Sequence, residues 1–152
     1  MNLKQIHNFS ALEILVVDDD DVFRKFMANY IEQAVGLRPH QSPSAREALA
    51  HIQNHSIDLL ITDTNMPEMN GVDLLVEAKN SDPTLKVIVL FSGLHGSKID
   101  EREILRLGAH MVLSKSEVPS RLIPFLKTYA TKSVTRSVRE DERSERLYFS
   151  NC

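Results

Sequence analysis

One cysteine is present, Cys152, and it is the last residue, so no internal disulfide can form. With no three residues after it a prenylation motif is missing as well, and a free thiol is the simplest expectation. Long apolar runs are absent. The opening "MNLKQIHNFSALE" lacks the continuous apolar segment of a secretory signal, and no other stretch approaches the length that crosses a bilayer. The expectation is a cytoplasmic protein with no membrane insertion. Positive charge is not in excess either: 18 Lys and Arg against 21 Asp and Glu leave a net charge of -3, which gives no electrostatic reason for direct binding to nucleic acid. What is there is ordinary for a globular chain, 152 residues with 42% hydrophobic and 26% charged, enough for one domain with one sizeable core.

Short apolar runs alternate with helical periods. "EILVV" (Glu13 to Val17) reads as a buried strand, followed by Phe23, Met27, Tyr30 or Ile31, and Ala34 at helical spacing. A weaker strand near "LRPHQS" carries Pro39, which suits a sheet edge, and Ser44 with Glu47 forms a capping-box pattern before Ala45, Ala48, Leu49 and Ile52. Third and fourth strands are expected at "IDLLIT" (Ile57 to Thr62) and "LKVIVLF" (Leu85 to Phe91). A short helix carrying Val72, Leu75 and Ala78 lies between them. A further helix, capped within Ser97 to Asp100 and ended by Gly108, leads to a fifth strand, "AHMVL" (Ala109 to Leu113). The last helix would use Val118, Leu122, Phe125, Leu126 and Tyr129, with Pro124 kinking or delaying it. Five such units predict a doubly wound α/β fold: a five-stranded parallel sheet flanked by helices on both faces, flavodoxin-like, (βα)5.

In such a sheet ligands collect beyond the carboxyl ends of the strands. Asp18 and Asp19 end the first strand, Asp63 the third and Ser92 the fourth, and Lys115 follows the fifth. The stretch "VVDDDD" (Val16 to Asp21) sets four carboxylates side by side. Two unit charges 4 Å apart repel by about 1 kcal/mol in water and about 4 at an effective dielectric of 20, so something must offset them. Asp20 and Asp21 fall at a helix start, where carboxylates cap amides and complement the helix dipole. Asp18 and Asp19 remain for a cation. Three carboxylates with one ammonium and one hydroxyl suit Mg²⁺ and a phosphoryl group. Asp63, in "DTNMPEMNG" with a turn stiffened by Pro67 and a pair, Asn70 and Gly71, tolerant of positive φ, is the expected nucleophile, forming an aspartyl phosphate.

"ILVVDDDDVFR", "LLITDTNMPEMNGVDLL", "VIVLFSG" and "GAHMVLSK", in this order, resemble the receiver domain of two-component response regulators over roughly Leu12 to Ala130. The resemblance divides the chain into an N-terminal extension (1–11), a receiver domain (12–130) and a charged tail (131–152). It implies that Asp63 accepts a phosphoryl group from a histidine kinase or histidine phosphotransfer protein. Asp18, Asp19, Asp63 and the backbone carbonyl of Asn65 would hold Mg²⁺, and Ser92 and Lys115 would contact the phosphoryl oxygens. Output would pass through the face made by the fourth helix, fifth strand and fifth helix to a downstream protein, or to a second copy of the chain as a homodimer. Two departures bear on switching. Val112 stands where many receivers carry Tyr or Phe, and Ser116 where Pro usually follows the Lys, which predicts a looser loop around Lys115.

Residues 131–152 carry five basic and four acidic side chains, a composition for a solvated, disordered tail. The helical alternative rests on the i, i+4 pairs Arg136 with Glu140 and Glu142 with Arg146, ending in an apolar tip of Leu147, Tyr148 and Phe149. His51 and His55 are also i, i+4, yet are expected on an outer helix face without further metal ligands. A phosphorylation-controlled binding module that turns over no separate substrate is the leading reading. A phosphorelay intermediate or phosphate sink, and a phosphate-independent receiver-like module, are its alternatives. An aspartate-nucleophile phosphatase would need an acid where Asn65 stands, and a flavin site would need a phosphate loop where the chain has "DDDD".

Overall fold

The computed structural model describes residues 11–93 and 100–132. Five strands, β1 (Ile14–Val17), β2 (His40–Ser42), β3 (Leu59–Asp63), β4 (Lys86–Phe91) and β5 (Met111–Ser114), form one sheet in the order β2-β1-β3-β4-β5. Every pairing is parallel. Four strands lie within two residues of their expected positions, and β2 occupies only the last three residues of "LRPHQS". β1 and β3 are buried throughout, the signature of strands covered on both faces. β2 is three residues long and sits at the edge, with Pro39 just before it, where a missing N–H costs no ladder bond.

Strand alternation sends side chains to two cores. Ile14, Val16, Leu59, Ile61, Ile88, Leu90 and Leu113 face α1 (Asp21–Val35) and α5 (residues 123–132), meeting Met27, Ile31, Leu122 and Leu126. Leu15, Val17, Leu60, Val87, Val89 and Val112 face α2 (Ala45–Asn54), α3 (Gly71–Ser81) and α4 (Glu101–Arg106), meeting Ala48, Leu74, Leu75, Ala78 and Ile104. Each fully buried aliphatic side chain contributes about 1.5–3 kcal/mol relative to exposure, so the sheet is held from both sides. No helix among the described residues is long and apolar enough to cross a membrane.

Helix ends follow the capping chemistry. Asp20 Oδ1 accepts from Val22 N at 2.9 Å and Phe23 N at 3.2 Å, and Asp21 opens α1, so the second pair of the acidic run serves the helix as expected. Ser44 Oγ accepts from Glu47 N at 3.2 Å. Asp100 caps α4, while Ser97 lies outside the described residues. Before α5 comes a 3₁₀ turn, Lys115–Glu117, then a π-widened turn, Val118–Leu122. Pro124 has no N–H for the carbonyl of Ser120 and its ring would crowd it, and the wider turn just before removes the conflict. α5 continues through residues 131 and 132, while residues 133–152, with the i, i+4 pairs and the apolar tip, lie outside the described residues.

Sheet order reverses at β1, which connects forward to β2 on one side and pairs with β3 on the other. Val17 is in register with Thr62, so the residues that follow them, Asp18 and Asp63, emerge side by side at the carboxyl edge.

Candidate functional site

Asp18 is fixed at three points. Its Oδ1 accepts from Asp20 N at 2.9 Å, its Oδ2 from Lys115 Nζ at 2.9 Å, and its main-chain carbonyl from Arg24 Nη1 at 2.8 Å. Arg24, in the first turn of α1, is buried and also pairs with the Asp21 carboxylate. The acidic run is thereby tied back onto its own helix. Asp19 is exposed, while Asp18 and Asp63 are 2% and 5% exposed. One oxygen from each of Asp18, Asp19 and Asp63 lies within 4.8 Å of the others.

Lys115 comes from the far side of the sheet, one residue past β5. Its ammonium lies 3.4 Å from Asp63 Oδ1, close enough for an ion pair but not aligned as a hydrogen bond, so that buried oxygen has no hydrogen-bond donor. The same ammonium stands 4.0 Å above the Phe23 ring, so Lys115 is held between two carboxylates and an aromatic face. Burial, then the Asp18 charge, raises the Asp63 pKa above the usual carboxylate value, with Lys115 and the Asn65 amide opposing. For Lys115 burial acts downward, but the hydrogen bond to Asp18 and the charges of Asp63 and Asp18 outweigh it and leave the pKa raised. Hence the ammonium stays charged. Three carboxylates against one cation leave a net negative pocket lined by hard oxygen donors, one of them buried and without a donor, and that fits a divalent cation.

The β3–α3 loop sets Asp63 by close contact. Gly71 N donates to Thr64 O at 3.2 Å, and a Cβ at Gly71 would stand 2.8 Å from the Asp63 carbonyl carbon and closer still to its oxygen. The expected positive φ at Asn70 or Gly71 is not observed. Asn70 has φ -78° and caps α3, and Glu68 takes the left-handed conformation at φ 67°. Gly71 is required by backbone approach rather than by its own torsion.

Asp18, Asp19, Asp63 and Lys115 therefore converge. Asn65 is exposed on the loop, with its amide toward the Asp63 carboxylate. Ser92 is exposed at the same sheet edge, two residues beyond Leu90, the register partner of Asp63. The expectation of a looser loop at Ser116 does not hold. Ser114 N donates to Glu117 Oε2 at 2.8 Å, the Ser114 and Ser116 hydroxyls are 2.6 Å apart, and Glu117 pairs with Arg121 Nη1 at 3.1 Å. No cis peptide occurs among the described residues. Val112 is buried against the α4 side of the core. Sequence reasoning overlooked Phe23 and Arg24 as site residues: Phe23 fits the helical apolar period, and Arg24 reads as a surface residue unless its spacing from Asp20 and Asp21 is noticed.

A family model described as the response regulator receiver domain matches residues 14–127. The chain is 30% identical over 113 residues to chemotaxis protein CheY of Thermotoga maritima, covering 74% of this chain and 92% of that protein. It is 29% identical over 106 residues to a protein-glutamate methylesterase/protein-glutamine glutaminase of Treponema denticola, covering 68% of this chain but 28% of that longer protein. Among solved structures, a CheY-like receiver domain protein from Methanospirillum hungatei superposes with a TM-score of 0.69 at 27% identity, covering 84% of this chain and 99% of that one.

Proposed function

The chain belongs to the response regulator receiver family, and on that premise we propose that Asp63 is its phosphoacceptor, that Asp18, Asp19, Asp63 and the Asn65 backbone carbonyl hold Mg²⁺, and that Ser92 and Lys115 contact the phosphoryl oxygens. The phosphoacceptor role in two-component signalling goes with the family. The observation that carries the assignment to Asp63 is its Oδ1: buried, without a hydrogen-bond donor, 3.4 Å from Lys115 and beside a second buried carboxylate.

A carboxylate oxygen of Asp63 attacks the phosphorus of a phosphohistidine donor. The O–P bond forms as the P–N bond breaks, and the departing imidazole takes the electron pair. Bound Mg²⁺ supplies positive charge for the carboxylates and the transferring oxygens. Lys115 adds a fixed ammonium on one wall, kept protonated by Asp18 and Asp63. After transfer its ammonium moves from Asp18 Oδ2 toward a phosphoryl oxygen, and that shift is the local event that biases the surface. Asp63 attacks phosphorus and is later released when water attacks that phosphorus and the bond to the carboxylate oxygen breaks, giving inorganic phosphate, so no separate substrate is turned over.

On this reading the donor is a histidine kinase or histidine phosphotransfer protein and the reaction is cytoplasmic. Output runs through α4, β5 and α5, where Leu105 and Leu107 are exposed and His110 packs on Phe125 with ring centroids 5.1 Å apart. Asp18→Asn and Asp19→Asn, each phosphorylated from acetyl phosphate over a Mg²⁺ titration, test the metal assignment. Both variants should require more Mg²⁺ for the same rate. A Mg²⁺ dependence identical to wild type would remove Asp18 and Asp19 as ligands.

A further inference from the structure

A second cluster of ligating side chains lies at the opposite edge of the sheet. His40 is the first residue of β2, Glu13 immediately precedes β1, and α2 ends at Asn54 with His55 as its cap. The sequence hides this, because His40 is separated from the His51 and His55 pair by the β2–α2 connection. The expected surface pair is observed, His55 exposed and His51 half-buried, and the fold adds a third imidazole beside it. The His51 ring lies between those of His40 and His55, with centroids 4.9 Å and 4.4 Å away. Its Nε2 is buried and has no hydrogen-bond partner.

We propose that His40, His51 and His55 form a binding site for a divalent transition-metal ion of the Zn²⁺ class. Imidazole nitrogens suit zinc, copper and nickel rather than magnesium, so the site would not compete for the cation of the acidic pocket. Two histidines at i, i+4 present their rings on one face of a helix, and a third from a neighbouring strand gives three protein ligands, leaving a position for water. Glu13 Oε2 is 2.7 Å from His40 Nε2, which leaves Nδ1 of that ring for the ion and repeats the carboxylate–histidine–metal arrangement that orients a ligand. Glu13 is itself held, its N–H donating to Asp58 Oδ2 at 2.8 Å and its carbonyl accepting from the amides of Asp58 and Leu59. Among the described residues only the acidic trio has three ligand atoms within 4.8 Å, so an ion at the imidazoles requires side-chain rotation. His55 is exposed and has room for that adjustment, His40 keeps the orientation set by Glu13, and His51 supplies the unpartnered nitrogen.

Zn²⁺ titration by calorimetry on the full chain tests this, with saturating Mg²⁺ in the acidic pocket and Cys152→Ser to remove the thiol. One Zn²⁺ should bind per chain, and the melting temperature should rise with added Zn²⁺. His55→Gln, at an exposed position, and His51→Gln should each abolish both effects, Glu13→Gln should weaken binding by about tenfold, and Asp63→Asn should leave it unchanged. Zn²⁺ binding that survives both histidine variants, that is lost in Asp63→Asn, or that is absent from the wild-type chain would overturn the site.

Discussion

Replacing Gly71 by alanine is the perturbation whose sign the structure decides most sharply. On helix propensity alone the change is favourable, since glycine inside a helix costs about 1 kcal/mol relative to alanine and Gly71 opens α3. Against that, the new Cβ would stand 2.8 Å from the Asp63 carbonyl carbon and 3.1 Å from Thr64 Cα, with the Asp63 oxygen nearer still. All three are backbone atoms, so no rotamer change can relieve the contact. Overpacking of this kind costs about 1–3 kcal/mol and sometimes more, and a backbone clash belongs at the upper end. The net expectation is a loss of about 2 kcal/mol, a fall in Tm of about 5 °C for a chain of this size. The strain falls on the peptide of Asp63, whose carbonyl also accepts from Thr62 Oγ1 at 3.1 Å, so phosphorylation should slow as well. Thermal and urea unfolding of both proteins, followed by circular dichroism, measure the loss. A Tm for Gly71→Ala equal to or above wild type would refute the close-approach account of this glycine.

Asp63→Asn should be more stable than wild type at neutral pH while losing phosphorylation. The folded pKa of Asp63 is raised, so its ionised form costs stability at neutral pH, and that cost fades as pH falls through the folded value toward the ordinary 3.8. The Tm difference between the two proteins should therefore shrink under acid, and a less stable Asn variant at pH 7 would contradict the burial argument. His51 gives a second pH signature. Burial, then His55 and His40, lower its pKa below 6.5 with Glu13 opposing, so the folded state favours the neutral ring. Stability should be full above about pH 6.5 and decline as pH falls through the lowered value, and His51→Gln should flatten that decline in a Tm series.

Much of this was legible because parallel sheets write their burial plainly. β1, β3 and β4 are near-continuous apolar runs, and Asp18 after β1, Asp63 ending β3 and Lys115 after β5 mark the carboxyl edge. The convergence of Asp18, Asp19, Asp63 and Lys115 follows from that topology. Three things were hidden. Gly71 looks like a torsional glycine until the path of the Asp63 carbonyl is known. Phe23 has an apolar period that conceals its role under the Lys115 ammonium. The histidine cluster depends on β2 lying beside β1, a long-range pairing that local spacing does not encode. Ser116 misled for a related reason: the loop is held by Glu117, three residues past Ser114, where the usual device is a proline.

The most direct measurement is the intact mass of wild type and Asp63→Asn after incubation with acetyl phosphate, with and without Mg²⁺. A single phosphoryl addition that requires Mg²⁺ and is missing from Asp63→Asn is the predicted result. An addition that persists in Asp63→Asn, or none in wild type even with a cognate kinase and rapid quenching, would contradict the assignment of Asp63.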